Sequence, residues 1–226
     1  DGGGRYRMER EVLLQLGLLL LTIGMFFVIF HLPRQALSKI RSRGRAAVQA
    51  NRYFLEGVQL LSRARSARSR SASLSMAKDA AAQADRALSL DPRDAAAHIL
   101  KALALDLLGR HSCALRSLDA ALSPPAVRSL SNSERGDALL KRAEIQMGAA
   151  ATGRSRRKMR AAAAAEADLA DAVKLCPDNS KAWAAMGLFY EEKGLKVEAC
   201  KAFKQAQTAD PGFVVAHKGL RRLGAE

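Results

Sequence analysis

The stretch WAAMGLFYEEKGLKVEACKAFKQAQTADP, Trp183 to Pro211, decides how the rest of the chain is read. Trp183, Met186 and Tyr190 recur at three- and four-residue intervals, so they share one face of a first helix. Phe203 belongs to a second helix and fills the space between the two. Gly187, Ala199 and Ala206 are small where two helices must approach closely. EKGL makes the turn between the helices, and Asp210-Pro211 stops the second one, because proline has no amide hydrogen to continue it.

The arrangement recurs upstream. HILKALALDLLGRHSCALRSLDAALSPP, beginning at His98, places Lys101, Ala102 and Leu105 in a first helix and Ala114, Leu118 and Ala121 in a second, with Gly109 between them. Ala102 and Ala114 are 12 residues apart, as are Gly187 and Ala199, and Pro124-Pro125 closes the unit. Two further units are stretched. Tyr53, Gly57 and Leu60 resume at Ala80, Ala84, Ala87 and Pro92, while Leu139 and Ala143 resume at Ala165, Leu169, Ala172 and Pro177. Their spacings of 23 residues (Gly57 to Ala80) and 22 (Ala143 to Ala165) predict an inter-helix loop insertion of about ten residues in each. The alternation of long and short units, with 85 residues from His98 to Trp183 and from Pro92 to Pro177, suggests a duplicated pair of hairpins. After Pro211, FVVAHKGLRRLG reads as one more helix whose Val214, Val215 and Leu220 cover the last apolar face.

These residues resemble the tetratricopeptide repeat (TPR) pattern W-x2-L-G-x2-Y…A-x3-F…P, with Met186 in place of leucine. The resemblance implies an all-α solenoid over 50–226, with hairpins at about 50–94, 95–128, 136–179 and 180–213 and a cap at 214–226. It also implies a concave wall of stacked first helices that takes a peptide or partner helix. Family members that capture the acidic tails of large chaperones use a Lys, Asn, Asn, Lys, Arg clamp on three successive first helices. Those positions here hold Ile99, Leu103, Lys141, Lys181 and Ala185, which disfavours such a receptor. The expected lining is instead apolar, with Ile99, Leu100, Leu103, Leu107 and Leu140 interspersed by Asp106, Lys141, Glu144 and Lys181.

The N-terminal part differs in character. VLLQLGLLLLTIGMFFVIFHL (12–32) runs 21 residues without a formal charge, long enough at about 1.5 Å per residue to cross a hydrocarbon core of roughly 30 Å. It is read as an uncleaved transmembrane helix between a short basic flank (1–11) and a basic juxtamembrane linker (33–49). Arg34, Lys39, Arg41, Arg43 and Arg45 behind the span outnumber Arg5, Arg7 and Arg10 before it, which places the long domain in the cytosol. The endoplasmic reticulum and an organelle's outer membrane both fit that layout. Beginning on aspartate, the chain leaves room for residues before it.

With 37 Lys and Arg against 22 Asp and Glu, the net charge is +15. Two dense clusters fall in the expected loops: Arg63, Arg65, Arg68 and Arg70, then Arg154, Arg156, Arg157, Lys158 and Arg160. Such clusters could contact lipid, RNA or an acidic partner, but no aromatics interleave with them to stack on single-stranded bases. Cys113, Cys176 and Cys200 are odd in number and widely spaced, which suits a reducing compartment. No residue set offers a nucleophile with its base, a phosphate loop or paired histidines at metal-ligand spacing, so neither enzyme, metal nor cofactor is expected. His98 and His217 stand where a repeat's first-helix aromatic belongs and are read as packing residues; His111 is read as a solvated turn residue. The resulting expectation is a membrane-anchored scaffold for a protein partner. Its rivals are an anchored receptor for RNA or ribosomes, and an import-type receptor.

Overall fold

Three of the helices begin where a side chain takes up backbone amides. Asp94 accepts from the Ala96 and Ala97 amides and Asn179 from those of Lys181 and Ala182. Before Asn132 the cap is reciprocal: the Ser131 amide donates to Glu134 (2.9 Å) and the Glu134 amide to Ser131 Oγ (3.3 Å). Three helices end at glycines in the left-handed region, Gly109, Gly194 and Gly224, with φ of +73°, +76° and +66°.

The computed structural model describes residues 46–152 and 155–225, apart from the side chains at 150–152, 155 and 157. Among them are nine α-helices and no strand. They are α1 (46–66), α2 (Arg70–Leu90), α3 (Ala95–Leu107), α4 (His111–Leu122), α5 (Asn132–Thr152), α6 (Ser155–Leu175), α7 (Ser180–Glu192), α8 (Lys196–Ala209) and α9 (Val214–Leu223). A 3₁₀ turn, Ala126–Ser129, precedes α5. Ala50–Glu226 forms one unit, and the packing below lies within it. The expected membrane span at 12–32, with its flanks through residue 45, lies outside the described residues. Among the described helices, none is long and apolar enough to cross a membrane.

Each helix from α2 onward packs on the next in sequence, and α5, α7 and α9 also touch along the inner row. That nearest-neighbour order is a solenoid. Alanines make the close approaches possible: Ala80, Ala87, Ala102, Ala114, Ala121, Ala143, Ala199 and Ala206 are all fully buried. Leu118 and Leu169 fill the middle hairpins and Phe203 the last one. Leu105 is buried, Ala172 almost wholly so, and Trp183, Met186 and Tyr190 are half-buried along α7.

The expected insert loops are corrected by the structure. α1 continues to residue 66 and α2 starts at Arg70, leaving only 67–69 as a turn. α5 likewise runs to Thr152 and α6 starts at Ser155. The inserts lack proline and are built largely from Ala, Arg and Ser. Alanine and arginine are strong helix formers, so the extra residues lengthen both helices of a hairpin instead of bulging out. Across the first turn Ala64 is 1% exposed, and Ser73 Oγ donates to its carbonyl at 2.7 Å. α2, α5 and α6 are therefore 21-residue helices, and α1 is helical through 46–66, where α3, α4, α7 and α8 have 12 to 14 residues.

The cap is also corrected in detail. Leu220 packs inward as expected, together with Ala216 and Gly219, but Val214 and Val215 are exposed. Arg222 holds it to α7 through a forked ion pair with Glu191 (2.9 and 2.7 Å). The Phe203 ring lies between two glycines. A Cβ on Gly187 would stand 2.7 Å from its Cε1, and one on Gly219 2.6 Å from its Cζ. Alanine gains about 1 kcal/mol over glycine in a helix. Here the clash with a ring wedged from both sides outweighs that gain, because overpacking costs about 1–3 kcal/mol. Gly219→Ala is thus expected to lower stability by about 1 kcal/mol in urea unfolding, and a more stable variant would contradict this packing.

Candidate functional site: a groove along the first helices

Because a hairpin places every first helix on the same side of the stack, residues one helical turn apart on α1, α3 and α5 line a common hollow. Its volume is about 780 Å³. The floor is apolar, with Leu61, Ile99, Leu100, Leu103 and Leu140 lining it and Phe54 and Val58 rising from α1. The rim is polar: Ser62, Arg65 and Ser66 on α1, Glu134, Asp137, Lys141 and Glu144 on α5, and Lys181 on α7.

Of the residues expected in the groove, Ile99, Leu100, Leu103, Leu140, Lys141, Glu144 and Lys181 line it, while Asp106 and Leu107 do not. Asp106 acts from behind the rim. Lys141 Nζ lies 2.9 Å from its Oδ2 and 3.1 Å from Glu144 Oε2. Burial disfavours the Lys141 charge, but these two carboxylates outweigh it and hold the ammonium above its ordinary value. His111, expected to be a solvated turn residue, opens α4 and meets Asp106 Oδ1 at 3.1 Å. At the other end of α5, hydrogen bonds from the Ser131 amide and hydroxyl hold Glu134 below the usual carboxylate range. Asp137 accepts from Asn179 Nδ2 at 3.0 Å, which ties the groove wall to the start of α7.

Sequence spacing does not single out the α1 wall as lining, although Tyr53, Gly57 and Leu60 mark its repeat. Gly57 permits it: a Cβ there would sit 2.8 Å from Leu100 Cδ2, so the α1 backbone lies against the Leu100 side chain of α3. Of the described basic residues expected in loops, only Arg68 is in one. Arg63 and Arg65 ride on α1, Arg68 is in the turn, Arg70 starts α2, and Arg156, Lys158 and Arg160 are exposed on α6. Arg154 and the Arg157 side chain lie outside the described residues.

The proline turns carry a repeated bond. Trp183 Nε1 donates to the Pro177 carbonyl at 2.7 Å, and His217 Nε2 faces that of Pro211 at 2.7 Å. His98 Nε2 faces the Pro92 carbonyl at 3.1 Å. A carbonyl only accepts, so each imidazole carries its proton on Nε2 and replaces the indole N–H. These histidines are turn ties. Sequence reading also misses a buried ion pair. Arg142 Nε and Nη2 grip Asp168 at 2.8 and 2.6 Å, and Nη1 reaches Asp119 at 2.8 Å, joining α5, α6 and α4. Asp168 hydrogen bonding, opposed by burial, raises the Arg142 pKa further above its usual range. A signal exists in the repeat: Arg142 occupies the position of Met186, and Asp168 that of Ala202.

No protein-family model matches the chain, and no curated protein matches it in sequence. Solved structures do. A TPR protein of Thermus thermophilus superposes with a TM-score of 0.59 over 78% of this chain and 84% of that one, at 20% identity. The fold is TPR-like. PilF of Pseudomonas aeruginosa gives 0.58 over 80% of this chain and 70% of its own, at 16% identity. A chain of the APC/C hetero-tetramer Cut9-Hcn1 gives 0.58 over 76% of this chain at 15% identity. The present chain spans only 29% of that protein. At these identities the likeness concerns the TPR-like architecture alone.

Proposed function

We propose that this chain is a scaffold that holds a protein partner in the concave groove of its TPR-like stack, and that residues 12–32 anchor it in a membrane with the stack on the cytosolic side. The observation that carries the first part is the groove itself, an apolar floor of about 780 Å³ bounded by charged residues. What supports the anchor is the uncharged 21-residue run and the basic excess behind it.

Proximity labelling in cells tests both parts. Deleting residues 1–33 is expected to remove membrane-protein neighbours, and unchanged neighbours would count against anchoring. Val58→Glu adds a charge to a groove wall that is already 41% exposed, so folding tolerates it. It is expected to lower enrichment of the groove's partner at least tenfold with an unchanged circular dichroism spectrum. Full enrichment would sink the groove reading. A rival reading uses the exposed arginines of the long hairpins to bind RNA. It predicts binding that falls steeply with salt and disappears on Arg→Ala at 63, 68 and 70 while the groove is intact.

A further inference from the structure

The groove's walls differ in charge and its floor in hydrogen-bonding capacity, and together these define an occupant. We propose that the groove takes a single amphipathic helix of about three turns, its apolar stripe on the α1–α3 floor and a Lys/Arg-bearing flank turned toward α5. This rests on the reading of the groove as a partner site.

The floor argues for a helix. Its leucines, Val58 and Ile99 offer no polar side chain, and no Asn or Gln is among the described lining residues. An extended peptide pressed there would bury amides and carbonyls without partners, at about 1–3 kcal/mol each. A helix satisfies its own backbone and needs only an apolar surface. Length agrees: the α1 lining runs from Phe54 to Ser66, about 18 Å at 1.5 Å per residue, or a little over three turns.

Charge sets the flank. Glu134, Asp137, Lys141 and Glu144 fall at i, i+3, i+7 and i+10, one face of α5. Lys141 sits between Glu144 and Asp106, two carboxylates against one ammonium, so that cluster keeps one negative charge beside those of Glu134 and Asp137. The α5 side is therefore anionic within a chain of net charge +15. The lining cations besides Lys141 are on other helices, Arg65 on α1 and Lys181 in the first turn of α7. A cationic flank facing α5 meets Glu134, Asp137 and the net negative Glu144–Lys141–Asp106 cluster; an acidic one would be repelled there.

The test uses the full chain in detergent and fluorescence anisotropy with 15-residue peptides. One has a leucine stripe and a lysine flank, one the same stripe with a glutamate flank, and one the lysine form broken by two central prolines. The lysine helix is expected to bind at least tenfold more tightly than either other peptide in low salt. The gap between the lysine and glutamate forms should shrink as screening shortens the reach of the charges. Asp137→Asn with Glu144→Gln keeps the hydrogen-bonding shapes and should close that gap. Arg65→Glu, at an exposed position that spares the α5 caps, should tighten the lysine helix several-fold. Equal or better binding of the glutamate or proline peptide overturns this proposal. If Val58→Glu still abolishes that binding, the groove remains the partner site. No binding by any peptide, or binding that Val58→Glu leaves unchanged, sinks both. Self-association of the full chain that Val58→Glu abolishes assigns the groove to a second copy and overturns the proposal too.

Discussion

Phe203→Ala is expected to lower the unfolding free energy by about 3–5 kcal/mol, the usual cost of deleting a fully buried phenylalanine. The upper part of that range applies because the site cannot collapse. The ring is held between the backbones of Gly187 on α7 and Gly219 on α9, and backbones do not move in to fill a void as side chains do. In a linear stack the damage stays local at first. Hydrogen exchange should show α8 and α9 losing protection while α3 to α6 keep most of theirs. Uniform loss along the chain would mean that the last hairpin is not a separable end. A second variant checks the wedge: Phe203→Leu should reduce the penalty of Gly219→Ala, since the clashing ring atoms are gone, and strict additivity would contradict it.

Arg142→Leu is expected to cost about 3–5 kcal/mol, because it leaves Asp168, whose side chain is 7% exposed, charged and without its forked partner. Arg142 itself is 20% exposed, so solvent screens the pair little. The loss exceeds the worth of the ion pair, most of it being the desolvation of the stranded carboxylate. Arg142→Leu with Asp168→Leu should therefore recover most of the stability in thermal unfolding. Asp119→Ala removes only the outer contact, at a carboxylate that is 59% exposed, and should cost under about 1 kcal/mol. A double variant as unstable as the single one would show that the pair itself, and not the orphaned charge, holds α4, α5 and α6 together.

Much of the architecture is legible because the repeat uses a short physical code. Small residues such as Ala102, Ala114 and Ala199 mark where backbones touch, and glycines and prolines mark where helices stop. Contacts of this kind lie within one hairpin or between neighbours, so spacing alone reports them. The long units depart from their sequence reading for a related reason. Arginine and serine tracts suggest loops by composition, yet nothing in residues 62–73 breaks a helix except the need to turn once. Two helices that both gain a turn keep each other company, as Ala64 and Ser73 show, and that pairing is not written in either segment alone.

By itself the chain determined the helix periodicity, the punctuation at Gly109, Gly194 and the prolines, and the small residues at close approaches, since these depend on neighbours within a few turns. Only the tertiary structure decided which charges were buried, as at Arg142 and Asp168, why a helix-weakening Gly219 sits in α9, and that Phe54, Val58 and Arg65 join α3 and α5 around one hollow. Those outcomes depend on how three successive hairpins are rotated against one another. That rotation is set by side chains many residues apart, so no local spacing carries it.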